Sequence, residues 1–169
     1  KTNTGKGMIL RKRMYGYGLE VVSSGKISFW IYNAAATKSM ATSPNAYNND
    51  QWHHAVGVYD GSTVKLYIDG SQVASANAGT ISYGAGGIAI GRDGDYSGAY
   101  FNGLIDNLSI YNRALSGREV QELYNAFATS STTALTGSMI SSNHVEDYIN
   151  VIPKVTATPK PPTVILQSF

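Results

Sequence analysis

Two carboxylates and two tyrosines stand close together in Asp93-Gly94-Asp95-Tyr96 and Tyr100. Carboxylates so placed can reach one hard cation such as Ca2+. Alternatively, Asp93 and Asp95 can accept hydrogen bonds from sugar hydroxyls while Tyr96 and Tyr100 stack on the ring. Asp and Gly are also ordinary turn residues, and a solvated turn explains them without a ligand. Asp106 is a separate candidate, as a metal ligand. In Leu104, Asp106, Leu108 and Ile110 it shares a strand face with three apolar residues. An unpaired carboxylate there is costly, so Asp106 must hold a cation, accept backbone N–H groups, or lie at the strand's solvated end.

Other chemistry is less well supplied. Glycoside hydrolysis with retention needs two carboxylates about 5 Å apart across a groove, which on one strand means a spacing of two. Glu20, Asp50, Asp60, Asp69, Asp93 and Asp95 stand singly or in turn-like contexts, and Glu146-Asp147 face opposite ways if extended. His53 and His54 also point to opposite faces of a strand, with no third ligand at metal spacing. They read as structural, and so do Trp30 and Trp52, each inside a strand motif where an aromatic is more often core. No catalytic residue is assigned, and the chain reads as a non-enzyme.

The frame that positions these residues follows from composition and pattern. The 169 residues are 43% hydrophobic and 14% charged, enough for one domain with a real core and a tail. No apolar run is long enough to span a bilayer. Thirteen Lys plus Arg against 11 Asp plus Glu give a net charge of +2, too even for nucleic-acid binding. The chain lacks cysteine, which excludes disulfides, thiolate nucleophiles and Cys-ligated zinc. A surface vocabulary of Ser, Thr, Asn, Gly and 12 Tyr in place of Lys and Glu points to an extracellular or cell-surface setting. A start at Lys1 rather than Met suggests a processed product or a fragment.

Short β-branched and aromatic runs cut by Gly, Asn and Asp predict strands at Gly18–Val22, Lys26–Tyr32, Trp52–Tyr59, Val64–Asp69, Ser71–Ser75, Gly87–Gly91 and Leu104–Tyr111. Asp69-Gly70 is the natural centre of a type I′ turn joining two of them. The basic run Arg11-Lys12-Arg13, with Lys6, reads as a solvated strand edge. Ser116-Gly117-Arg118-Glu119 is a capping box, and Val120, Leu123, Tyr124 and Phe127 follow at helical spacing, predicting one short helix.

These elements divide the chain into a sandwich domain over residues 1–128, a Ser/Thr-rich linker over 129–144, and a tail over 145–169 holding Pro153, Pro159, Pro161 and Pro162. The tail carries two apolar, strand-forming segments, Val145–Ile152 and Thr163–Phe169. Left in water they invite aggregation, so they are expected to pair with something.

Roughly Gly5 to Phe127 resembles the laminin G-like, concanavalin A-like lectin/glucanase superfamily. The likeness rests on Gln51-Trp52-His53-His54-Ala55-Val56-Gly57-Val58-Tyr59-Asp60-Gly61, Lys65-Leu66-Tyr67-Ile68-Asp69-Gly70, Ile90-Gly91-Arg92, and Phe101 to Ser116. The resemblance implies an all-β fold, a two-sheet antiparallel jelly-roll sandwich, secreted or at the cell surface. It also implies a module for glycan binding, adhesion or assembly, with calcium held in some members by backbone oxygens near the opening together with an Asp matching Asp106. The sequence departs from the family at its start, where one or two opening strands are absent.

Two functions follow as expectations. One is a non-catalytic extracellular recognition module that binds a glycan or a cell-surface protein through sandwich-edge loops. The other is a structural subunit of a surface filament or layer, a homo-oligomer in which the C-terminal tail donates a strand to fill the vacant sheet position.

Overall fold

In the computed structural model the described residues are 6–82, 85–95, 98–133 and 163–167. The expected segment Val145–Ile152 and Tyr96 lie outside them. Ten strands and one helix follow in the order β1 Gly7–Lys12, β2 Tyr17–Val21, β3 Lys26–Tyr32, β4 Lys38–Ala46, β5 Ala55–Tyr59, β6 Thr63–Ile68, β7 Ser71–Asn77, β8 Ile88–Ile90, β9 Asp106–Tyr111, α1 Gly117–Thr133 and β10 Thr163–Gln167. The strands form two sheets, with orders β4-β3-β2-β1-β8 and β7-β6-β5-β10-β9. Every described strand pairing is antiparallel. This is the two-sheet sandwich that the strand pattern predicts.

Alternation along each strand sets the core. Leu19 and Val21 of β2, Ile27, Phe29 and Ile31 of β3, and Val64, Leu66 and Ile68 of β6 meet between the sheets. Phe29 presses against Gly57 of β5, where a Cβ would come within 2.1 Å of the ring. Strand β5 is apolar on both faces because both are covered: Val56 and Val58 turn outward under α1, joining Tyr67, Leu115 and Val120. The helix begins with the expected capping box, in which the Glu119 N–H donates to Ser116 Oγ at 3.2 Å and the Ser116 N–H donates to Glu119 Oε2 at 2.7 Å. It then runs on to Thr133, past the point where the composition turns to Ser and Thr.

The Asp69-Gly70 turn has φ of 50° and 79°, the double positive geometry of a tight hairpin. Other expectations are corrected. The basic run Arg11-Lys12-Arg13 is not at an edge, because β1 lies between β2 and β8. The edges of that sheet are β4 and β8, and the polar residues and Pro44 of β4 suit a strand with one unpaired side. Trp52 precedes β5 and is 45% exposed, so it is no packing residue. The apolar face expected through Leu104, Asp106, Leu108 and Ile110 does not form. Asn107 at φ 49° breaks the alternation, and Leu104 and Ile110 are exposed while Leu108 packs on the core. No helix among the described residues is long and apolar enough to cross a membrane.

Candidate functional site

The richest surface lies on the outer face of the first sheet, where residues 91–95 and 98–101 are laced to β1. The Gly91 N–H donates to the Ile9 carbonyl at 2.9 Å, and the Met8 N–H donates to the Ala99 carbonyl at 3.2 Å. Asp93 and Asp95 project from this strap onto two arginines of the facing chain. Arg11 Nη1 donates to Asp93 Oδ2 at 2.6 Å and Arg11 Nη2 lies 2.8 Å from Asp95 Oδ2. Arg13 Nε donates to Asp95 Oδ1 at 2.9 Å.

Asp95 Oδ2 also accepts the Met14 N–H at 3.2 Å. Burial pushes its pKa upward, but the hydrogen bonds from Arg13 and Met14 and the charges of both arginines outweigh burial and hold the carboxyl below its usual range. The two carboxylates therefore strap the β1–β2 hairpin in place.

That hairpin has an unusual tip. Met14 and Tyr15 hold φ of 56° and 63° at the two central positions, where Asn and Gly are the natural occupants. Each such residue costs roughly 1–2 kcal/mol. Tyr15, 58% exposed, meets Tyr32 edge-on at 5.4 Å, and Tyr32 meets Trp30 edge-on at 5.4 Å. The indole lies over Gly18, with Lys38 Nζ 4.6 Å and the Arg11 guanidinium 5.5 Å from its ring centre. Lys38 Nζ also donates to the buried Glu20 at 3.3 Å, and Lys6 Nζ lies 3.0 Å from the other Glu20 oxygen. Exposed Met14 and Met40 flank this aromatic row.

The residues singled out from sequence fall as follows. Asp93 and Asp95 come together, with their oxygens turned to arginine. Tyr100 sits on the same strap, 63% exposed, bridging to Met8 of β1. Asp106 is far along the chain at the start of β9, exposed, with its Oδ1 accepting the Asn107 N–H at 2.8 Å. Among the described residues no group of three or more His, Cys, Asp or Glu gathers as metal ligands would. Calcium does not fit the pair Asp93 and Asp95 as they stand, because guanidinium groups occupy the directions a cation would take.

The histidines serve the Asp69 turn. Asp69 bridges His53 Nδ1 at 2.8 Å and accepts the His54 N–H at 2.9 Å, while His54 stacks on Tyr124 at 5.9 Å. Sequence reasoning missed Met14, Tyr15, Tyr32 and Met40. For Met14 and Tyr15 the only signal was the absence of Asn or Gly from the two central positions of a tight turn, and Tyr32 and Met40 carried none.

The family model for the concanavalin A-like lectin/glucanases superfamily, of laminin G-like type, matches residues 2–121. No curated protein matches the chain. Among solved structures, the chain is similar to residues 221–444 of an S-layer domain-containing protein from Clostridium thermocellum, at 25% identity and a TM-score of 0.39, covering 72% of this chain and 64% of that one. It is also similar to the binding domain of Paraclostridial Mosquitocidal Protein 1, at 15% identity and a TM-score of 0.44, covering 72% of this chain and 32% of that one. The chain thus spans less than two thirds of either neighbour.

Proposed function

Because the chain belongs to the concanavalin A-like lectin/glucanase superfamily, in its laminin G-like form, we propose that it is a non-catalytic recognition module that binds a glycan outside the cell through the β1–β2 hairpin tip and its strap. The observation that carries this reading is the edge-to-face row Tyr15–Tyr32–Trp30, ending in an exposed ring held at a strained backbone position. Strain of that kind persists where surrounding structure enforces it, and the strap supplies the enforcement. An aromatic face beside polar and charged groups suits a sugar, which offers C–H bonds on one side and hydroxyls at its rim. Tyr100 offers a second face on the strap. Asp93 and Asp95 then serve chiefly to hold the hairpin, and a non-catalytic role accords with carboxylates that are already paired with arginine. The Ser-, Thr-, Asn- and Tyr-rich composition supports an extracellular setting.

Screening on a glycan array followed by titration calorimetry tests this. Tyr15→Ala and Tyr100→Ala are each expected to weaken binding about tenfold, the loss of one stacking contact. Absence of affinity for any polysaccharide at millimolar concentration overturns the reading, as does binding indifferent to both variants.

A further inference from the structure

Strand β10 occupies a singular place in the second sheet. It lies between β5 and β9, antiparallel to both, and among the described residues β9 has no other strand beside it. Thr163 is registered against Val58 on one side and Tyr111 on the other, Val164 against Gly57 and Ile110, and Ile165 against Val56 and Ser109. Remove β10 and two hydrogen-bonding edges face each other across a gap one strand wide, since neighbouring strands lie about 4.8 Å apart. Such a gap is a slot for an extended segment, with backbone partners on both of its sides.

A long stretch of sequence joins the segment that fills the slot to the rest of the chain. Residues 134–162 separate it from α1, and at about 3.3 Å per residue a fully extended chain of that length spans at most about 95 Å. A domain of this size has a radius of gyration of only about 14 Å. Pro159, Pro161 and Pro162 stand immediately before β10 and favour extended chain. The same backbone contacts are therefore within reach of a neighbouring molecule's slot.

We propose that the gap between β5 and β9 is a strand-acceptor site, and that when copies of the chain are crowded it takes Thr163–Gln167 of a second copy. Donation in this sense is head to tail: each molecule gives one strand and receives one. It propagates a row of subunits unless a ring closes. Within one molecule the tether sets an effective concentration on the order of millimolar, so exchange prevails only where subunits are packed as densely as on a surface.

The chain's lack of cysteine permits a direct test with the full-length protein. Ser109 and Ile165 are cross-strand partners, at the separation of about 4.5–5.5 Å between Cα atoms that a disulfide accepts. One preparation carries Ser109→Cys, a second carries Ile165→Cys, and a third carries both. Mixing the first two under oxidising conditions is expected to give a covalent heterodimer, in a fraction that rises with protein concentration and falls when excess peptide of residues 163–169 is added. If the third preparation forms an internal disulfide and the mixture forms no heterodimer at any concentration, exchange is overturned. If neither forms a bond, the acceptor slot itself is overturned. The result is independent of glycan binding, since neither substitution touches the hairpin tip.

Discussion

Gly18 lies directly beneath the indole of Trp30, so close that a Cβ on Gly18 would sit 2.4 Å from the ring. The two are also cross-strand partners in β2 and β3. The absence of a side chain at position 18 lets the indole lie flat on the sheet, and the flat indole seats Tyr32 and, through it, Tyr15. Gly18→Ala is expected to tilt Trp30 off the sheet, lowering stability by about 1–3 kcal/mol in urea unfolding and weakening glycan affinity. Unchanged stability and affinity would show that Trp30 does not seat the row.

The hairpin tip offers the sharpest separation of stability from function. Met14→Asn places a residue that tolerates positive φ at position 14, and is expected to stabilise the protein by about 1 kcal/mol. Tyr15→Gly relieves the same strain but loses the edge contact with Tyr32, worth about 0.5–1.5 kcal/mol, so its stability stays near that of the parent. Its glycan affinity is expected to fall at least tenfold. Thermal unfolding and calorimetry on the same samples check both.

Much of this frame was legible in the sequence, and the illegible parts share a cause. Strand β3 could be read with its observed bounds because Ile27, Phe29 and Ile31 alternate against a fully covered face. The Asp69-Gly70 turn and the Ser116–Glu119 capping box could be read because each is satisfied within a few residues. Strand β1 misled because Arg11 and Arg13 look like edge charges until Asp93 and Asp95, some eighty residues away, are laid beside them. Strand β4 was silent because an edge tolerates Pro44 and polar side chains. The alternation from Leu104 to Ile110 misled because the left-handed conformation of Asn107 has no mark in the residues around it.

Those distant pairings make their own prediction. The Arg11 side chain is only 11% exposed, and Asp93→Ala removes one of its two carboxylate partners. Stability is expected to fall by about 2–4 kcal/mol, because a largely buried charge keeps only part of its compensation. Replacing Arg11 by Met and Asp93 by Leu together is expected to cost less than Asp93→Ala alone. Urea unfolding of the two variants decides this, and equal losses would mean the charge is well solvated without Asp93.

His54 gives the fold an acid limit. It is 6% exposed, its two ring nitrogens lack hydrogen-bond partners among the described residues, and burial lowers its pKa against the weaker opposing pull of Asp69. Well above pH 6.5 the ring is neutral in both folded and unfolded chain, and its contribution to stability is complete. As pH falls below 6.5 the unfolded chain takes up the proton first, so stability drops until the folded value is reached and then levels off. Denaturation midpoints measured from pH 8 to 4 should show this decline, and His54→Leu should flatten it.

The position of β10 also sets a timetable for biosynthesis. Val164 meets Gly57 across about a hundred residues of intervening chain, and contacts of such separation form slowly. On the ribosome the other described strands emerge before β10, so the nascent domain waits half-shut, with β5 and β9 uncovered, until β10 is translated. During that interval, neighbouring nascent chains on one messenger would be close enough to be sewn together by one another's β10.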